Sequence, residues 1–226
     1  MFENISNKNL LTIRPEQMQI QNHISTSNTL LNFNPFVKDN FQTQNISFNL
    51  TDNSSLTPIQ QLTKLGQKYN IPFDPDIKSF QKRVIKALVM HRAMEYGIPM
   101  NIALGISGNE SSWSMWKDVK SGKLEQCKNM REGALKSSDW GAMQINDKAH
   151  SKAFPRVKND LEYNVEYGLK FLANRHNKIK GDMGLGFGEW DRTIASYNLG
   201  HNPSSQRDYE IAQKYVSRVK QKSLKV

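Results

Sequence analysis

From residue 57 onward, apolar positions fall mostly three or four apart, the period of helices with one face turned inward. In "LTPIQQLTKLGQKYN" the stripe is Ile59, Leu62, Leu65 and Tyr69. Thr57 is placed to N-cap it, Pro58 suits the first helical position and Gln60 completes a capping box. "DIKSFQKRVIKALVMHRAMEYG" repeats the pattern with Ile77, Phe80, Val84, Leu88, His91 and Met94 or Glu95, closed by Gly97. His91 lies on that stripe and is expected in the core, not as a ligand. Pro99 opens a third helix, "PMNIALGISGN". Three more are predicted: "DLEYNVEYGLKFLANRHN" on Leu161, Val165, Gly168, Leu169 and Leu172, "EWDRTIASYN" on Trp190, Ile194 and Tyr197, and "RDYEIAQKYVSRVKQK" on Ile211, Tyr215 and Val219. "WGAMQI" is the only short strand candidate, with "MWKDVKSGKLEQCKN" and "GDMGLGFGEW" read as loops. The pattern predicts a mainly α body with no internal repeat.

Residues 1–55 follow no such period. They are rich in Asn, Gln, Ser and Thr, with isolated apolar residues such as Leu30, Phe33, Phe36, Phe41 and Phe48. A segment of this kind buries too little surface to offset its ordering entropy. It is expected to be an extended arm, disordered in isolation or ordered against a partner as a docking segment, joined to a helical domain over 56–226.

Composition narrows the function classes. No uncharged apolar run is long enough to span a bilayer, so a transmembrane helix is not expected. The first residues show no basic leader followed by an apolar segment, so no secretory signal peptide is expected. Cys127 is the single cysteine, so no intramolecular disulfide can form. The formal charge is +10; residues 1–55 carry three basic and four acidic groups, which leaves +11 on the remainder. A basic body suits an anionic partner. No nucleic-acid recognition motif accompanies it, so nucleic acid is not the expected partner. His23, His91, His150, His176 and His201 show no metal-ligand spacing, and the glycines of "GDMGLGFGEW" lack the Lys and Ser/Thr of a phosphate loop. Neither a metal nor a cofactor is expected.

The candidate chemistry begins at Glu110, in "ALGISGNESSW". Ala103, Ile106 and Glu110 stand at i, i+3 and i+7, so the carboxyl group extends a core-facing stripe at a helix C-terminus. Burial and the negative end of the helix dipole both raise the pKa of an acid placed there. An acid kept protonated near neutrality suits protonation of a departing glycosidic oxygen. Gln144 follows the tight Gly141 and the apolar Met143, and Tyr197 and Asn198 lie at the end of another helix. These are polar groups of the kind that line a saccharide site, with Trp113, Trp116 and Trp140 as candidate walls.

The ordered blocks "GNESSW", "WGAMQIN", "NVEYGLKFL", "ASYNLG" and "YVSRVKQ" resemble the soluble lytic transglycosylase (SLT) family, relatives of goose-type lysozyme, over roughly residues 98 to 220. The chain departs from the family in small apolar exchanges, Ala142 for the usual Leu and Leu199 for a frequent Ala. The resemblance implies a lysozyme-like helical fold and cleavage of the β-1,4 bond between N-acetylmuramic acid and N-acetylglucosamine in peptidoglycan glycan strands. It implies Glu110 as the single catalytic acid, with Ser111 and Tyr197 orienting the acid and the N-acetyl group. Gln144, Asn198, Met143 and Trp140 would contact substrate, and the products would carry 1,6-anhydro-muramyl ends. Asp139, just before Trp140, could instead position a water and make the enzyme a muramidase. A structural protein with a vestigial lysozyme-like domain is the non-enzymatic alternative. The expected delivery route is a phage virion acting on the host periplasm or wall, with residues 1–55 docking onto virion proteins. A specialised secretion apparatus or release at lysis is the alternative.

Overall fold

The computed structural model describes residues 52–225, so the expected arm, apart from its last four residues, lies outside the described residues. Those residues form seven α-helices: α1 (Pro58–Lys68), α2 (Ile77–Glu95), α3 (Met100–Ser111), α4 (Arg156–Asn159), α5 (Leu161–Ile179), α6 (Asp191–Leu199) and α7 (Gln206–Ser223). Between α3 and α4 lie five short strands: β1 (Trp116–Asp118), β2 (Lys123–Leu124), β3 (Gln126–Arg131), β4 (Ala134–Trp140) and β5 (Ile145–Asn146). The expected mainly α fold is the observed one.

Local signals act as expected at several helix ends. The Thr57 hydroxyl accepts from the Gln60 backbone, and the Gln60 side chain answers to the Thr57 backbone, the reciprocal cap predicted for α1. Asp160 caps α5 through the Tyr163 amide. Within the tail ascribed to the arm, Asn53 is buried. Its amide donates to Asp160 Oδ2 at 3.1 Å and its side-chain oxygen accepts from Lys64 Nζ at 2.7 Å.

α3 runs through the centre of the body and is buried from Ile102 to Gly108, with α2 and α7 packed against it. Gly105 permits the closest of these approaches, because a Cβ there would lie 2.7 Å from the Val219 carbonyl oxygen of α7. That proximity sets Tyr215, one turn before Val219, near the C-terminal end of α3.

The structure corrects four of the pattern-based expectations. His91 is exposed and stacks on Tyr69 with ring centroids 4.5 Å apart; beyond Leu88 the inward stripe continues through Val89 to Arg92. Arg92 is accepted inside because it pairs with Glu95 at 2.6 Å, Glu162 at 2.9 Å and Glu166 at 3.0 Å. On α7 the buried stripe is Ala212, Tyr215, Val216 and Val219, with Ile211 exposed. The segment "GDMGLGFGEW", read as a flexible loop, is gathered by buried Asp191. That carboxylate accepts from the amides of Met183, Leu185 and Phe187 at 3.2, 2.7 and 2.8 Å.

The fourth correction concerns strands. The loop after α3 contains an antiparallel sheet in the order β3-β4-β5, and only the ends of "WGAMQI" take part in it. β3 and β4 are mostly exposed and polar on both faces, so they show no alternation to detect. Their turn is Glu132-Gly133, with φ of 52° and 74°, the doubly positive geometry of a two-residue hairpin. Glutamate is not a usual first residue of that turn, which hid the signal.

Candidate active site

Glu110 occupies the last turn of α3. The helix stops because Ser112 and Trp113 both adopt left-handed conformations, φ 54° and 59°. The Trp113 ring then folds back over Gly108, where a Cβ would come within 2.5 Å of it, and its Nε1 donates to the Leu104 carbonyl at 3.0 Å. This reversal leaves the Glu110 side chain partly buried at the helix end, where its Oε1 accepts a hydrogen bond from the Tyr215 hydroxyl. Burial pushes the Glu110 pKa up to about 7. The Tyr215 hydrogen bond, the Asn109 amide and the Arg218 charge oppose the rise, while the charge of Asp139 adds to it. Near neutral pH this carboxyl group can therefore both give and take a proton.

The hairpin supplies the facing wall. Cys127, Asp139 and Asn146 are direct cross-strand partners and share one face. Asp139 is held at both oxygens: Asn146 Nδ2 donates to Oδ1 at 2.7 Å and Asn129 Nδ2 to Oδ2 at 2.9 Å. Its charge is felt at Glu110, Tyr197 and Cys127, so it lies within electrostatic range of the acid.

Between the two walls runs the Gly141–Gln144 turn. Gly141 has φ 78°, and a Cβ there would sit 2.5 Å from Asn164 Nδ2 and 2.6 Å from Met115 Sδ. Buried Asn164 pins the turn, accepting from the Met143 amide at 3.0 Å and donating to the Trp140 carbonyl at 3.0 Å. The Ser111 hydroxyl donates to the Ala142 carbonyl at 2.9 Å, tying the end of α3 to the same turn. Tyr197 donates to the Met143 carbonyl at 2.8 Å. Burial first, then the charges of Glu110 and Asp139, hold the phenol of Tyr197 protonated well above its usual range.

The expected residues do not all converge. Glu110, Tyr197 and Asp139 lie within electrostatic range of one another, and half-buried Gln144 sits at the end of the turn with φ 47°. Asn198 is exposed at the end of α6. Ser111 braces the turn and makes no hydrogen bond to Glu110. Met143 is fully buried against Gly168, so its backbone shapes the floor while its side chain meets only protein. Trp140 follows Asp139 in β4 and so points to the opposite sheet face. There its Nε1 donates to Asp147 at 3.3 Å and the Lys158 ammonium lies 4.0 Å from its ring centroid. Trp113 and Trp116, at 7% and 4% exposure, belong to the core and are not walls of a cleft.

A family model, the transglycosylase SLT domain, matches residues 87–216, from the middle of α2 into α7 and across Glu110, Asp139, the Gly141–Gln144 turn, Tyr197 and Tyr215. The chain belongs to this family. Comparison with curated proteins and with solved structures returns no match. The protein is thus a lysozyme-like lytic transglycosylase that cleaves glycosidic bonds of peptidoglycan. No helix among the described residues is long and apolar enough to cross a membrane.

Four residues of this transglycosylase escaped the sequence reading. Tyr215 was legible only as one member of a core stripe, although a phenol in that stripe demands a partner when buried. Asn129 and Asn146, which hold Asp139, lie in strands that the pattern did not reveal. Asn164 is polar on the inward face of α5 between Leu161 and Val165, and a buried amide of that kind signals a pinned backbone.

Proposed function

We propose that Glu110 is the catalytic acid and base of a lytic transglycosylase that cuts the β-1,4 bond between N-acetylmuramic acid and N-acetylglucosamine. The observation that carries this reading is the partly buried carboxyl group with its pKa raised to about 7, bonded by Tyr215 at the end of α3. Glu110 in its protonated form gives its proton to the bridging oxygen as the bond from that oxygen to the muramyl anomeric carbon breaks. The substrate's own N-acetyl group assists this departure. The muramyl 6-hydroxyl then attacks the anomeric carbon and gives its proton to the Glu110 carboxylate. The product is a 1,6-anhydro-muramyl end, and Glu110 is again protonated. Tyr197, Gln144 and Asn198 border the cleft and orient the sugar. Tyr215 and Ser111 act as positioning residues, the first on the acid and the second on the turn.

A second reading, hydrolysis, draws on Asp139, which faces the acid from the hairpin with its oxygens aimed by two amides. A water activated there would replace the 6-hydroxyl as the attacking group. Mass spectrometry of the soluble products separates the two. Muropeptides one water lighter than hydrolysis products, absent with Glu110→Gln, are the expected result. Ordinary reducing ends would assign a muramidase, and a fully active Glu110→Gln protein would overturn the role of Glu110.

For delivery, we read residues 1–55 as a docking segment that incorporates the enzyme into a phage particle. The reading is supported by their polar, Asn- and Gln-rich composition with widely spaced Phe residues. Deleting residues 1–51, which spares buried Asn53, should preserve cleavage by the helical domain and abolish incorporation; unchanged incorporation would refute the docking role.

A further inference from the structure

β4 has two sides, and they carry different chemistry. Asp139 lies within range of Glu110, and Trp140, the next residue, points to the other side of the strand. The division continues after β5, where Asn146 bonds Asp139 while Asp147 bonds the indole of Trp140. On that second side lies a cavity of about 420 Å³, lined by Trp140, Asp147, Ser151, Phe154, Pro155 and Lys158. Glu110, Gln144 and Tyr197 take no part in its lining.

The cavity is large enough for a small ligand, and its walls are held in place. Buried Asn164 donates to the carbonyls of both Trp140, at 3.0 Å, and Val157, at 3.1 Å, so one amide fixes β4 against α4, the helix that carries Lys158. Trp140 in turn touches two charges. Its Nε1 donates to Asp147 Oδ2 at 3.3 Å, and the Lys158 ammonium lies 4.0 Å from its ring centroid. Asp147 Oδ1 accepts from the Ser138 amide at 3.0 Å. Burial works against ionisation of Asp147, but the Ser138 amide, the Trp140 indole and the Lys148 charge together hold its pKa below the ordinary value.

These two opposite charges line one cavity without meeting. Among the described residues neither Asp147 nor Lys158 enters an ion pair. A ligand that bridges them must carry both signs: an ammonium toward Asp147, a carboxylate toward Lys158 and the exposed Ser151 hydroxyl, and a short apolar stem against Phe154 and Pro155. A simple anion or cation would satisfy only one of the two. The polymer that this enzyme cuts carries such groups at the free ends of its stem peptides, where the side-chain amine of a diamino acid lies near a terminal carboxylate.

We infer that the cavity behind β4, walled by Trp140, Asp147, Phe154 and Lys158, binds the zwitterionic free end of a peptidoglycan stem peptide and so directs the enzyme to peptide-bearing strands. The choice of ligand rests on peptidoglycan as the substrate, and the test involves no glycosidic bond, so that the cavity and the catalytic site can fail separately. Calorimetry on the wild-type protein measures binding of N-terminally acetylated stem tetrapeptides with lysine or diaminopimelate at the third position. At least one should bind. Acetylating its side-chain amine, or amidating its terminal carboxylate, should each weaken binding about tenfold, the loss of one hydrogen bond between charged groups. Asp147→Asn should weaken the free-amine peptide by a similar factor and leave the amine-blocked peptide unchanged. Lys158→Met should do the same for the free and amidated carboxylates. Thermal melts identify variants that remain folded. Binding of neither peptide, or variant losses that are the same for blocked and unblocked peptides, would overturn the inference. Free lysine or diaminopimelate binding as tightly as the peptide would overturn the stem peptide as the source of the ligand. Absence of cleavage products from peptidoglycan would instead overturn the catalytic site.

Discussion

Replacing Glu110 by Gln should stabilise this protein, increasingly so as pH rises from 4.5 to about 7. The side chain is partly buried and keeps its proton up to a pKa of about 7, against an ordinary value of 4.5. Between those two values the native state holds a proton that the unfolded chain has released, so stability falls as pH rises through this window. Below it both states are protonated and the penalty vanishes; above it the penalty is complete. A shift of this size at 1.36 kcal/mol per unit amounts to about 3 kcal/mol. Gln is isosteric and neutral, and its oxygen can still accept from Tyr215, so it removes the penalty with little change in packing. For a domain of this size the variant should melt roughly 6–12 °C higher than wild type at pH 8 and nearly together with it at pH 4.5. Urea or thermal unfolding of both proteins across that range checks the expectation. The same difference at both pH values would refute the argument, because it would show that the acid is not kept protonated by its surroundings.

Tyr215→Phe removes the hydroxyl that favours the charged form of Glu110, and a hydrogen bond to a charged group is worth about 1.5–3 kcal/mol. The alkaline limb of the pH–rate profile should move up by roughly one to two units, and an unmoved limb would exclude Glu110 as the group it reports. Gly141→Ala combines a left-handed backbone with a Cβ 2.5 Å from Asn164, so denaturant unfolding should show a loss of roughly 2–5 kcal/mol. Arg92→Met leaves Glu162 and Glu166 buried without their shared cation and should destabilise by about 3–5 kcal/mol at pH 7. Burial raises the Glu162 pKa, but Lys68 and Arg92 together hold it below its ordinary value in the native protein. Without Arg92 it rises, so the deficit should shrink as pH falls toward 4; a deficit independent of pH would contradict this.

The sequence by itself determined the helices and singled out the candidate acid. Periodicity located α1, α2, α3, α5, α6 and α7, because each buries one continuous stripe against a single core, and that requirement is written at every third or fourth position. The motif blocks marked Glu110, Gln144 and Tyr197, since their chemistry depends on residue type within short segments. Tertiary structure decided what lies across from what. The stripe of α2 favours His91 as readily as Arg92, and only the glutamates brought by α2 and α5 make the arginine the buried one. Tyr215 is more than a hundred residues from Glu110 and becomes its partner because Gly105 lets α7 approach α3. Asp139 faces the acid and Trp140 faces away because of a hairpin whose strands carry no apolar alternation. Contacts of this kind depend on packing between segments distant in sequence, which no local pattern encodes.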